Sequence, residues 1–77
     1  MSNIKLSFKE RGGLYTGRHL EIRLSGSQIR FYEVDTVNRK EYCLKKDTVR
    51  YLMHKRVLPK TSMMKRAIKG DKSIFKS

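Results

Sequence analysis

Along Ile4-Lys5-Leu6-Ser7-Phe8, and again along Leu20-Glu21-Ile22-Arg23-Leu24, every second residue is apolar, whereas beyond Asp47 the apolar residues recur at intervals of three and four. The first spacing fits an extended strand with one buried face, and the second fits an amphipathic helix. A chain whose period changes once in this way is expected to form an α+β domain. The expectation is an antiparallel sheet of three or four strands over about residues 3–44, followed by two short C-terminal helices. At 77 residues there is room for one small domain, 1–77, with an ordered core over about 3–69 and a basic tail over 70–77.

Local signals divide the strand half. Ser25-Gly26-Ser27 joins the second apolar run to Gln28-Ile29-Arg30-Phe31-Tyr32-Glu33-Val34, a hairpin with a glycine in its turn. Alternation slips between Phe31 and Tyr32, which predicts a bulge or a strand covered on both faces. Asp35 to Asn38 reads as a turn, and Arg39 to Leu44 as a returning strand. Between the first two strands, Glu10 to Arg18 carries Gly12, Gly13 and Gly17 and reads as a flexible hairpin loop. It lacks the Lys-Ser/Thr pair opening a helix that a phosphate-binding loop needs. The core face of the sheet is expected to hold Ile4, Leu6, Phe8, Leu20, Ile22, Leu24, Ile29 and Phe31.

In the helical half, Asp47 or Thr48 is expected to cap a three-turn helix carrying Val49, Leu52, Met53 and Val57 and ended near Leu58 by Pro59. Thr61 or Ser62 caps a second helix with Met63, Met64, Ala67 and Ile68 on one side, stopped by Gly70. Ile74 and Phe75 are the residues able to pin the tail.

Charge is distributed as unevenly as period. Nineteen Lys and Arg stand against seven Asp and Glu, a net of +12, and thirteen of the nineteen lie after Asn38. Nine of them, Lys45, Lys46, Arg50, Lys55, Arg56, Lys60, Lys65, Arg66 and Lys69, fall within twenty-five residues that contain one acid, Asp47. A lysine face kept for solubility usually alternates with glutamate, and this one does not. Unopposed cations repel one another in the isolated protein; a phosphate backbone turns that repulsion into affinity by releasing counterions. These nine residues are the expected nucleic-acid contacts, to DNA or RNA, weakly sequence-selective. Tyr51 lies among cations, placed either to stack on a base or to pack against the second helix or the sheet. Arg56 projects near the middle of the apolar stripe, which predicts a buried stem. Helices joined by Pro59-Lys60-Thr61 also suit a helix-turn-helix, but the turn lacks glycine and the second helix is barely two turns.

Other classes are poorly supplied. The seven carboxylates include no pair at helical spacing, Cys43 has no histidine near it in sequence, and one cysteine with His19 and His54 falls short of a structural zinc site. The expectation is a non-enzymatic protein without metal or cofactor. A nuclease would have to use His19 or His54 with Lys and Arg. No apolar stretch approaches the eighteen residues of a membrane span and no secretory signal opens the chain, so no membrane partner and a cytoplasmic location are expected. The alternative function is a small basic inhibitor or adaptor that docks on an acidic protein surface or blocks the nucleic-acid groove of a protein complex, with Tyr15, Tyr32, Tyr51, Met63 and Met64 as anchors. Either a monomer or an edge-paired homodimer is compatible with so small a core.

Overall fold

The computed structural model describes the backbone of residues 3–10 and 13–75, and the side chains of 3–6 and 17–75. Strands β1 (Asn3–Glu10), β2 (Gly13–Ser25), β3 (Gln28–Asp35) and β4 (Lys40–Leu44) form one antiparallel sheet in sequential order, followed by helices α1 (Lys46–His54) and α2 (Ser62–Ile68) and a 3-10 turn over Lys72–Phe75. This is the α+β arrangement that the change of period predicts.

The inward face of the sheet supplies Leu20, Ile22 and Phe31, all buried, with Ile4, Leu6, Ile29 and Leu44 packed around them. The helices answer with Val49, Met53, Met64, Ala67 and Ile68, and Leu58 joins from the connection between them. The expected core residue Leu24 is only half-buried, and the side chain of Phe8 lies outside the described residues.

Two turns set the sheet. In the β2–β3 hairpin Ser25 pairs with Gln28, and Gly26 takes φ +61 at the first central position, as a glycine-first hairpin turn requires. Between β3 and β4, Asp35 organises the chain: its Oδ1 accepts the N–H groups of Val37 and Asn38, both at 3.1 Å, and its Oδ2 accepts the Asn38 amide at 2.9 Å. Those bonds, led by Asn38 and joined by the nearby Arg18 guanidinium, hold the Asp35 carboxyl below its ordinary pKa although it is only 4% exposed.

Several expectations fail for identifiable reasons. The glycine-rich segment is not a nine-residue loop, because β2 begins at Gly13 and the ladder absorbs the extra residues as a register shift opposite Ser7 to Lys9. Gly17 makes this possible: it sits at φ +78, and its carbonyl accepts from the Thr36 N–H at 2.7 Å and the Thr36 hydroxyl at 2.8 Å. No bulge interrupts β3, whose pairings with β2 and β4 run in unbroken register. The other reading of the slip holds, since the strand is covered on both faces: Phe31 is buried against the core, and Tyr32 is half-buried on the side away from the helices, beneath the Arg23 guanidinium at 4.3 Å. The pinning expected of Ile74 and Phe75 does hold: Lys72–Phe75 forms a turn that seats both against the core.

Helix α1 starts at Lys46 with no side-chain cap, so Asp47 and Thr48 lie inside it, and it ends at His54 rather than at Pro59. Its end is a Schellman motif, in which the Arg56 N–H bonds the Met53 carbonyl at 3.0 Å and the Val57 N–H bonds the Leu52 carbonyl at 2.9 Å. Arg56 occupies the left-handed position at φ +61, and its side chain is exposed, not buried in the stripe. The reversal drops Leu58 into the core. Helix α2 begins as predicted, with the Thr61 hydroxyl accepting the Met64 N–H at 3.2 Å, and closes with the same motif: Gly70 bonds Ala67 at 3.0 Å and Asp71 bonds Arg66 at 2.9 Å. One motif thus has glycine at φ +85 and the other arginine at φ +61. Replacing Arg56→Gly should therefore raise stability by about 1 kcal/mol, the cost of a Cβ in the left-handed region, read as a higher urea midpoint with an unchanged slope.

Candidate nucleic-acid interface

The acids and the lysines occupy separate parts of the molecule. All six carboxylate side chains that the structure describes are in ion pairs, and every partner is an arginine or a histidine. Four of the six lie on β2, β3 and β4. On the sheet face away from the helices, Glu21 accepts from Arg23 Nε at 2.9 Å and meets His19 Nε2 at 2.7 Å, while both terminal nitrogens of Arg23 donate to the Glu41 carboxylate at 3.2 and 2.9 Å. The His19 contact, with Arg23 behind it, holds Glu21 below its usual pKa; Arg23 does the same for Glu41, and the two carboxylates push the guanidinium higher still. Near the sheet's other end Arg18 spans Glu33 at 3.2 Å and Asp35 at 3.6 Å.

The helical half keeps only two carboxylates. Asp47 takes Arg50 at 3.1 Å on the exposed surface of α1, and Asp71 takes Arg66 at 3.0 Å. The Ser73 hydroxyl and N–H and the Arg66 guanidinium together lower the Asp71 pKa to about 2. Among the described residues no lysine pairs with a carboxylate. The acids, four of the six on the sheet, therefore neutralise arginines and leave the described lysines of the helical half without a carboxylate.

Those lysines converge on grooves. Between α1 and α2 a concavity of about 360 Å³ is lined by Arg50, His54, Lys60, Lys65 and Lys69, with Met53 and Ile68 contributing apolar surface. At the N-terminal end of α1 a second groove, of about 460 Å³, runs between the helix and β3–β4 and carries Arg30, Lys45, Lys46 and Arg50 with Asp47. Arg50 belongs to both. Around the α1 terminus a third surface shares His54 and Lys60 with the first and adds Arg56. Seven of the nine expected cations thus lie on adjoining concave surfaces: Lys45, Lys46, Arg50, Arg56, Lys60, Lys65 and Lys69.

The other two are placed differently. Arg66 is held by Asp71 and Ser73 at the C-terminal end of α2. Lys55 lies with its ammonium 5.6 Å from the centre of the Tyr51 ring. Tyr51 itself is 58% exposed, so it does not pack against α2 or the sheet, whereas Leu58, from the connection, is buried in the core. Of the other proposed anchors, Met64 is fully buried and Tyr32 is half-buried under Arg23, while the Tyr15 side chain lies outside the described residues. Two basic lining residues stand outside the nine expected contacts. Arg30 comes from a strand in the nearly neutral half, and His54 is the last residue of α1.

Cys43 is exposed on β4. Among the described residues no three His, Cys, Asp or Glu side chains cluster as metal ligands, and no helix is long and apolar enough to cross a membrane. No protein-family model, no curated protein and no solved structure matches the chain.

Proposed function

We propose that the protein binds nucleic acid without catalysing a reaction on it, holding the phosphate backbone on the cationic surface of α1, α2 and their connection. The observation that carries this reading is the sorting of charge. Six carboxylates are spent on arginines and His19, and no lysine around the grooves has one, although the chain holds nineteen cations. A protein that needed only solubility gains nothing from leaving like charges adjacent and concave, because mutual repulsion costs stability. A polyanion removes that cost. Because the groove cations are flexible lysines and arginines that address phosphate rather than base edges, sequence selectivity is weak.

The test is a gel shift or anisotropy titration over a salt series. With about four to seven phosphates neutralised, the logarithm of the association constant should fall with the logarithm of salt at a slope of about −3 to −6. An acidic protein captured through packed aromatic anchors would show a far shallower dependence, and a flat response with nucleic acid overturns the reading.

A further inference from the structure

The groove between α1 and α2 has two kinds of wall. Its rim is cationic, with Arg50, Lys60, Lys65 and Lys69, and its apolar surface comes from Met53 and Ile68, core residues that keep 6% and 8% of their area exposed. Phosphate contact accounts for the rim only. A duplex lays its phosphates on the outside and keeps the faces of its bases stacked within, so it offers only sugar and base edges to the apolar part of a concavity about 360 Å³ in size. An unpaired nucleotide presents a charged phosphate and an apolar face together.

A second aromatic feature lies beside the groove. Tyr51 stands three residues before His54 and is therefore its neighbour on the α1 surface. Its ring is 58% exposed, with the Lys55 ammonium 5.6 Å from its centre. A strand leaving the groove past His54 meets a ring already held by a cation, the pairing of stacking platform and positive charge by which unpaired bases are gripped. None of the side chains lining this groove carries an oxygen, so none repels the backbone as a carboxylate would or offers a carboxylate, amide or hydroxyl oxygen to a sugar hydroxyl; the nearest acid is Asp47, bonded to Arg50 on the rim.

Resting on the nucleic-acid reading above, the geometry points to single-stranded nucleic acid as the ligand: one base against Met53 and Ile68, the next on Tyr51, phosphates on Lys60, Lys65, Lys69 and Arg50, with DNA and RNA accepted alike. This choice opposes what charge alone dictates, since a duplex carries the denser line of phosphates and a purely electrostatic binder prefers it.

The full chain should be titrated by fluorescence anisotropy, at one salt concentration, with a labelled thymidine 12-mer, a uridine 12-mer, a 12-mer of abasic sites and a 12-base-pair duplex. The two base-bearing single strands should bind within a few-fold of each other and at least about tenfold more tightly than the abasic strand or the duplex. Tyr51→Ala, at an exposed position, should cut binding of the thymidine strand by about tenfold and leave the abasic strand unchanged. In carbon-13 methyl spectra of the unmodified protein, the Met53 and Ile68 methyls should shift with the thymidine strand and stay in place with the abasic one. Equal or better binding of the duplex and the abasic strand overturns the single-strand assignment while leaving phosphate binding intact. A preference for bases that neither Tyr51→Ala nor the two methyls register overturns the placement, and a more than tenfold preference between the sugars overturns the indifference to them. Binding to none of the four overturns this inference together with the reading it rests on.

Discussion

The double reversal Lys60→Glu with Lys65→Glu should weaken binding to nucleic acid by about 100- to 1,000-fold at moderate salt. Both side chains are exposed and line the same groove, and neither has a carboxylate partner to lose. A unit charge about 4 Å from a phosphate in water is worth about 1 kcal/mol, and reversal replaces that attraction by repulsion of similar size. Two such sites give about 4 kcal/mol before screening, or up to three powers of ten. The control moves the same charge elsewhere. Lys5→Glu with Lys40→Glu alters net charge equally, at exposed positions on β1 and β4 away from the grooves. If affinity follows only the total of +12, the two double variants lose it equally; if it follows the grooves, only the first does. Thermal stability gives an independent check with the opposite sign. Removing positive charge from a crowded face relieves repulsion, so the groove variant should melt no lower than the parent while binding far worse, which separates loss of a contact from loss of the fold.

The groove illustrates how far residue order carries and where it stops. Strands and helices were legible because their repeats are local properties: Leu20 and Ile22 are buried on β2 while Glu21 and Arg23 face the other side. Gly26, Thr61 and Gly70 act where residue type alone predicts. The structure departs from that pattern where contacts are distant in sequence or a residue takes an untypical conformation. Gly17 joins the sheet in a left-handed conformation, with its carbonyl bonded by Thr36, nineteen positions on. Arg56 ordinarily favours a helix, so nothing in its identity announced that it would take the left-handed position and end α1 before Pro59 could. The same limit applies to the site. Nine cations could be enumerated from the chain, but sorting them required tertiary structure: the Schellman turn at Gly70 brings Asp71 onto Arg66, and the packing of α1 beside α2 brings Arg50 and His54 to face Lys65 and Lys69.

The largest effect on stability should come from the opposite side of the molecule. Arg23→Ala is expected to destabilise the fold by about 2–3 kcal/mol at neutral pH, a large part of what so small a domain has. Arg23 is bonded to both Glu21 and Glu41 and lies 4.3 Å over Tyr32, and Glu21 is only 8% exposed. Removing the guanidinium leaves a nearly buried carboxylate with His19 as its remaining side-chain partner among the described residues, beside an exposed Glu41 that repels it. The pH dependence identifies the cause. In the parent, Glu21 and Glu41 both titrate below their ordinary value of 4.5 when folded. Their contribution is therefore complete above pH 4.5 and is lost as pH falls through the lowered folded values, where the folded state finally takes up the protons that the unfolded state already binds. The variant has lost the ion pairs, so urea midpoints of parent and variant should converge as the pH is lowered below 4.5. What persists at acid pH is the Arg23–Tyr32 contact, about 0.5–1 kcal/mol. Arg23→Lys should fall between the two, because an ammonium cannot donate to Glu21 and fork onto Glu41 at once. A difference between parent and Arg23→Ala that is the same at pH 7 and pH 3 would show that packing on Tyr32, and not the carboxylates, is what Arg23 supplies.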